Sequence, residues 1–459
     1  MSGQAPDARA ARDAFAPELF TDLYQLTMLQ AYAAEGMAER AVFSLYVRTL
    51  PPERNFLVAA GLDDALSYLE TLRFGPAALA HLRTLPQFSQ GFVDALAGFR
   101  FSGHARAVRE GTPVFAGEPL LEIEAPIGEA QLVETYLLNQ ITFQTLIASK
   151  GARVVLAARG KPVIDFGTRR THGLDAALKA ARALFVVGFT ATSNVEAGRR
   201  YGIPVTGTMA HSYVQAHATE RAAFAAFVRE NPGTVLLVDT YDTEQGVRRV
   251  VELARASDDF RVSAVRLDSG DLDVLSRRTR AILDDAGMRD VGIVASGGLD
   301  EFAVAQLEHA RAPIDAYAVG TRVGTSADAP TLDSVYKLTA YAGEGSIKLS
   351  PGKQTSPGSK QVFRRIANGV AVADVIARAT ESVDGEPLLR SVMRDGRRLP
   401  DARPTLAEIR AHAAAQLRRL PPVLRSFEPA PMPYAVSISA GLGADASAAE
   451  AAARRDRGG

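Results

Sequence analysis

From residue 162 to 326 the chain repeats one pattern: a short β-branched or aliphatic run that ends in small or charged residues. The runs are PVIDFGTRR, FVVGFTATSNV, IPVTGTMAH, TVLLVDTYDT, VSAVRLDSGDL, VGIVASGGL and DAYAVGTRV. Helix-like segments separate several of them, at 174–183, 194–201, 219–230, 244–256, 271–286 and 299–310. Asn231-Pro232-Gly233 and Gly287 stop two of these segments, as glycine does after a helix. Alternating β/α units of this kind predict a parallel α/β barrel, although a doubly wound open sheet has the same local signature. Within IPVTGTMAH, Ile203 to Thr206 reads as a short buried strand with His211 beyond its exit.

The flanks read differently. Residues 1–16 and 439–459 carry no apolar periodicity and are expected to be disordered. A helix over 19–37 starts at Thr21 or Asp22 and ends at Gly36. Residues 41–52 alternate like a strand, and 101–126 read as short strands with glycine turns. Residues 128–158 are a dense helical stretch, one helix or two broken near Gly151. This predicts an N-terminal α+β domain (17–130), a catalytic barrel (131–345) and a C-terminal segment (346–438) that returns to the N-terminal domain. The fold class is thus α/β, a TIM-like parallel barrel with a second α+β domain built from both ends of the chain.

Composition narrows the partners. Lys+Arg and Asp+Glu are both 52, so nothing in the net charge points to nucleic acid. No cysteine is present, which excludes disulfides and cysteine-held zinc. No run approaches the roughly 20 apolar residues of a membrane helix. The N-terminus lacks a signal peptide's apolar centre, so a cytoplasmic protein without a membrane partner is expected.

Barrels hold their chemistry at the carboxyl ends of the strands. Ser296-Gly297-Gly298 follows one strand and opens a helix, and Gly320-Thr321 does the same after the next. Glycine lets backbone N–H groups approach an anion at a helix start, so the pair reads as a phosphate grip or as ordinary turn chemistry. Arg169 and Arg170 offer planar forks for carboxylate or phosphate, or a surface ion pair. Arg266 and Asp268 alternate to one side of a strand, where buried charges need a partner or a ligand. Asp239 and Asp242 are candidates for Mg²⁺ or ribose hydroxyls, or else caps, and Asp268 is a third possible metal ligand. His211 follows Gly207-Thr208 and precedes Ser212, where an imidazole can be nucleophile, acid/base group or ligand. His172 and His217 are weaker candidates, and no spacing suggests zinc. Tyr24, beside the apolar stripe of the first helix, reads as an amphipathic tyrosine.

Taken together, DFGTRRTHG, TSNVEAGRRYGIPVTGTMAHSYVQAH, VRLDSGDL and GTRVGTSADAPTLDSVYKL resemble the nicotinate phosphoribosyltransferase family. TDLYQLTM and SPGKQTSPGSKQVFR are similar to it as well, and the likeness runs in order from about residue 19 to 430. The resemblance implies transfer of a phosphoribosyl group from phosphoribosyl pyrophosphate to nicotinate, coupled to ATP hydrolysis. It also implies Mg²⁺, a homodimer and a barrel irregular beside the regular eightfold one. On the same ground His211 is the phosphorylated histidine, working with Arg266 and Asp268. Tyr24, Thr208, Arg266 and Arg170 would meet nicotinate. Arg169 and Thr321, with the two glycine turns, would meet the phosphoribosyl group. Lys353 and Lys360 match a family segment without an assigned role. The long insertion that larger relatives carry after the histidine motif is missing here. A nicotinamide or quinolinate phosphoribosyltransferase and a non-catalytic nucleotide-binding barrel are the competing readings.

Overall fold

The computed structural model describes residues 15–349 and 355–455. Lys353, residues 1–14 and residues 456–459 lie outside it, and so do the expectations made for them.

Six strands form a parallel sheet: β1 (Val163–Asp165), β2 (Ala191–Thr192), β3 (Thr234–Leu237), β4 (Val262–Leu267), β5 (Gly292–Ala295) and β6 (Ala316–Val319). Their order is β2-β1-β6-β5-β4-β3, so the last strand lies beside the first. The sheet thereby curls on itself and stays open between β2 and β3. One bridge from Thr192 to Val205 stands at that opening. Side chains alternate across it. Leu237, Val265, Leu267, Ile293 and Val319 face the helices and are fully buried. Each such side chain contributes about 1.5–3 kcal/mol. Ala264, Val294 and Ala318 line the concave side with Ile164 and Phe166, leaving room within the curl.

Two helices brace this sheet, α1 (Glu134–Ala157) and α2 (Leu174–Val186). They meet at Gly151, where a β-carbon would stand 2.5 Å from Leu184 Cδ2. Gly151 therefore marks close packing and not a break, and α1 runs on through it. A third helix, α3 (Glu301–His309), follows β5.

A seven-stranded sheet packs alongside. It joins Arg40–Val47, His104–Val108, Pro119–Pro126, Ser334–Tyr341 and Leu389–Arg394, with two short edge strands. Leu389–Arg394 pairs with His104–Val108, so the two ends of the chain share one sheet. A smaller sheet holds Lys360–Ala367 and Val370–Arg378.

Four expectations need correction. Phe185 and Val186 close α2 instead of opening a strand, because the buried face of that helix continues through Leu184 and Val186. Ile203–Thr206 forms one bridge and no strand, and Val205 is exposed. Residues 334–341, assigned to the barrel, pair with Arg40–Val47. Residues 440–455 are not disordered: they form a helix anchored by fully buried Leu442 and by Asp445, whose carboxylate takes two 2.6 Å bonds from Arg378.

Candidate active site

A cleft of about 660 Å³ opens at the carboxyl ends of the parallel strands. It gathers most residues singled out from the sequence: Arg169 and Arg170 after β1, Thr208 and His211 at the opening, Arg266 on β4 and Asp268 just past its end. Ser296, Gly297 and Gly298 after β5, and Gly320 and Thr321 after β6, complete that set.

The glycine turn is dictated by crowding. Gly297 has φ +90°, and a β-carbon there would come within 1.8 Å of Asp268 O. Only glycine fits so near another backbone. Ser296 Oγ donates to Asp268 Oδ1 at 2.6 Å, tying the turn to β4. Asp268 N donates to Asp239 Oδ2 at 2.9 Å, and Ser269 Oγ donates to the same oxygen at 2.6 Å. Three consecutive strand exits are thus linked by hydrogen bonds. At the end of β1, buried Asp165 accepts from Thr192 Oγ1 at 2.7 Å and Gly167 N at 2.8 Å. Burial raises its pKa above the ordinary carboxyl value.

Arg266 lies on the concave face in line with Ala264. Its guanidinium stands 5.8 Å from the Phe166 ring centroid. Nη2 donates to Met209 O at 3.3 Å, and Nε is buried without a partner. Burial pulls its pKa down, while Asp268 and Asp239 push it back up. A cation with unused donors in a partly dry setting calls for an anion. Arg169 and Arg170 are exposed and make no ion pair among the described residues. The lining therefore holds three arginines against one carboxylate, Asp268.

His211 begins the helix His211–Gln215. Its Nδ1 lies 3.1 Å from Thr240 Oγ1, and its Nε2 lies 3.9 Å from Asp268 Oδ2. The first contact fixes the ring, and the second aims Nε2 along the cleft wall toward the carboxylate.

Among the described residues, no three His, Cys, Asp or Glu side chains converge as a metal site. Asp242 caps the helix Thr243–Ala256 through Gln245 N at 2.8 Å, the cap being one of the two readings its position allowed. Asp239 lies outside the cleft lining, with Oδ2 already bonded to β4. Of the three candidates, Asp268 alone lines the cleft. One carboxylate beside an anion pocket suits Mg²⁺ that arrives on substrate phosphates, since this ion keeps most of its ligands as water and phosphate oxygen.

Tyr24 is not in the cleft. It sits 46% exposed on the helix Leu23–Ala34, which packs on Ile127–Leu132. Burial of the phenol, with the charge of Glu134, raises its pKa. Within one chain it does not line the cleft with the other site residues. Lys360 is also remote, buried with its Nζ donating to Gly358 O at 2.7 Å. Sequence reasoning missed Phe166, Thr168, Ser193 and Thr240. Thr168 lines the cleft with a buried, unpartnered Oγ1. Phe166 shares the strand parity of Ile164, and Thr240 adjoins Asp239 at a strand exit, so both carried a usable signal.

Comparison with known proteins gives the same picture along the whole chain. Residues 19–142 match the nicotinate phosphoribosyltransferase N-terminal domain, 162–345 the nicotinate phosphoribosyltransferase family and 380–444 its C-terminal domain. A nicotinate phosphoribosyltransferase of Mycobacterium tuberculosis is 54% identical over 422 residues, covering 92% of this chain and 91% of that protein. That of Bacillus subtilis is 42% identical, covering 81% and 78%. The crystal structure of human nicotinic acid phosphoribosyltransferase superposes with a TM-score of 0.84 at 30% identity, covering 94% of this chain and all of that one. A cleft built for anions and relatives this similar over nearly their full length lead to one conclusion: the chain belongs to the nicotinate phosphoribosyltransferase family.

Proposed function

We infer that the chain transfers the 5-phosphoribosyl group from phosphoribosyl pyrophosphate to the ring nitrogen of nicotinate, giving nicotinate mononucleotide and pyrophosphate, a step of NAD biosynthesis. The observation that carries this reading is Arg266, half-buried with an unpartnered Nε, lining one cleft with the glycine turns Ser296–Gly298 and Gly320–Thr321. In this reading Arg266, Thr208 and Arg170 take the nicotinate carboxylate, with the ring near Phe166. The Ser296–Gly298 and Gly320–Thr321 turns and Arg169 hold the phosphates.

Breaking the ribosyl C1–oxygen bond leaves positive charge on the sugar and sends the bonding electrons out with pyrophosphate. The pyridine nitrogen brings its own lone pair, so no side chain need remove a proton. What the protein supplies is orientation and preset positive charge. Mg²⁺, held in part by Asp268, would screen the leaving group.

ATP is the third substrate in this proposal. His211 Nε2 attacks its terminal phosphorus, ADP departs with the bond electrons, and the phosphoryl group stays on the imidazole. The added charge is about −1.5 to −2, by analogy with other phosphorylated residues. It arrives next to Asp268 and draws the cleft arginines inward. His211→Ala should remove stimulation by ATP and leave slow, ATP-independent transfer. Undiminished stimulation in that variant rejects the role.

The closing pair β6–β1 and the concave row of small residues support reading the sheet as an irregular TIM-like barrel with one seam. A homodimer would let Tyr24 of one copy reach the cleft of the other. The exposed apolar residues Phe15, Phe20 and Leu23 around it support such a contact. Cytoplasmic placement fits these soluble substrates, and no helix of the described residues is long and apolar enough to cross a membrane. A panel of nicotinate, nicotinamide and quinolinate, each assayed for pyrophosphate release, separates the three substrates. Equal rates with nicotinamide would exclude the carboxylate contact with Arg266.

A further inference from the structure

A second cavity, of about 460 Å³, shares no lining residue with the cleft and lies between the N-terminal domain and the segment 390–408. It is within the size range of small-molecule sites. Its walls carry four arginines, and two of them are spoken for. Arg398 pairs with Asp63 at 2.7 Å, and Arg403 pairs with Glu70 at 2.8 Å. Arg109 and Arg390 also line the cavity, and neither guanidinium has a hydrogen bond or ion pair among the described residues. They come from neighbouring strands: Val108 is paired with Leu389 and Ala107 with Arg390. Two carboxylates on the same wall have no ion pair among the described residues: Asp401, which is exposed, and Glu408, which accepts from Thr405 N and Oγ1 at 2.7 and 2.9 Å and whose pKa is lowered by those bonds and then by the charge of Arg109.

An independent reporter stands beside these arginines. His412 is half-buried with Nε2 2.9 Å from Thr112 Oγ1. Burial, and then the charges of Arg109, Arg390 and Arg419, hold its pKa down to about 4. Of those three cations only Arg419 has an acidic partner, Glu386 at 2.6 Å. Arg109 and Arg390 thus reach the open cavity without an ion pair of their own among the described residues.

We propose that this cavity binds a small phosphorylated molecule, its phosphoryl group held by Arg109 and Arg390 and its remaining atoms lying on Ala107 and Val392. Two arginine forks suit phosphoryl oxygens better than a single carboxylate does. The site is separate from the transfer cleft, so its occupant is an effector and not a reactant. Glu110 on its wall also accepts two 2.8 Å bonds from Arg182 of α2, the helix that starts four residues after Arg170. The occupant therefore sits against a fixed point of that helix.

The test uses inorganic phosphate as probe on the full chain, with the His412 ring followed by nitrogen NMR and chloride matching the ionic strength. Bound phosphate should raise the His412 pKa by about one unit, a tenfold change in proton affinity. Arg109→Gln and Arg390→Gln should each abolish that rise while transfer rates without added phosphate stay unchanged. Arg109→Lys, which keeps the charge but not the fork, should retain a weakened response. An unmoved His412 in the wild type at millimolar phosphate overturns the proposal. So does a rise that persists in both glutamine variants.

Discussion

Arg153 is buried and Arg266 is half-buried, and their surroundings differ in one respect. Every face of the Arg153 guanidinium is used: Nε donates to Glu301 at 2.7 Å, Nη1 to Glu53 O at 2.6 Å and Nη2 to Phe427 O at 2.9 Å. Lys150 joins it, 2.6 Å from Glu301 and 2.8 Å from Asp328, and Arg54 closes the chain on Asp328 at 3.1 Å. Arg266 has one long bond to a carbonyl and an empty Nε. A cation whose donors are filled by its own protein fastens segments together. A cation left short is set for something that arrives later.

The sharpest way to break this contrast is Glu301→Gln. It takes from Lys150 and Arg153 the carboxylate they share, leaving Arg153 with carbonyl acceptors alone, and removing one partner of a buried ion pair costs about 3–5 kcal/mol. The urea unfolding midpoint should drop accordingly. A midpoint close to wild type would deny that network its fastening role. Arg266→Ala should act the other way round. Transfer efficiency should fall about 10²–10³-fold, as for loss of one preset charge-stabilising donor. The melting temperature should hold or rise, because an unsatisfied group leaves the interior. A melting loss as large as that of Glu301→Gln would erase the distinction.

Gly297→Ala comes next. At φ +90° and with 1.8 Å to Asp268 O, the turn must shift. Strained backbone of this kind costs about 1–3 kcal/mol. The Michaelis constant for phosphoribosyl pyrophosphate should rise more than that for nicotinate, and an equal rise in both would move the turn away from the phosphates.

The smallest effect near neutral pH concerns His412, whose pKa falls from 6.5 to about 4 on folding. The unfolded chain binds this proton more tightly. Stability is therefore complete above pH 6.5 and declines as pH falls toward 4. His412→Asn should lose that part of the decline, seen as a flatter melting temperature across the same window. An unchanged slope would mean that the ring titrates normally.

The alternation of strands and helices was legible because it is written locally, residue by residue, from Val163 to Val319. Arg266, Asp268 and the glycine turns were legible for the same reason, since each lies at a strand exit whose parity can be counted. What escaped were facts made by distant residues meeting. Gly151 looks like a helix break until Leu184 is seen against it. Arg54 and Asp328 are 274 positions apart, and nothing near either announces the pair. Thr240 reaches His211 across 29 residues. The tail helix 440–455, rich in alanine, reads as filler until Asp445 finds Arg378.

The lone bridge at Val205 has a mechanical side. Elsewhere the parallel sheet is stitched strand to strand, but the stretch that carries His211 is basted to its neighbour by two backbone bonds, Thr192 N to Pro204 O and Thr206 N to Thr192 O, both 3.0 Å. Beyond that seam no ladder joins it to β3. If His211 takes a phosphoryl group as proposed, carrying the imidazole outward and back again would unpick a couple of threads while the rest of the fabric stays whole.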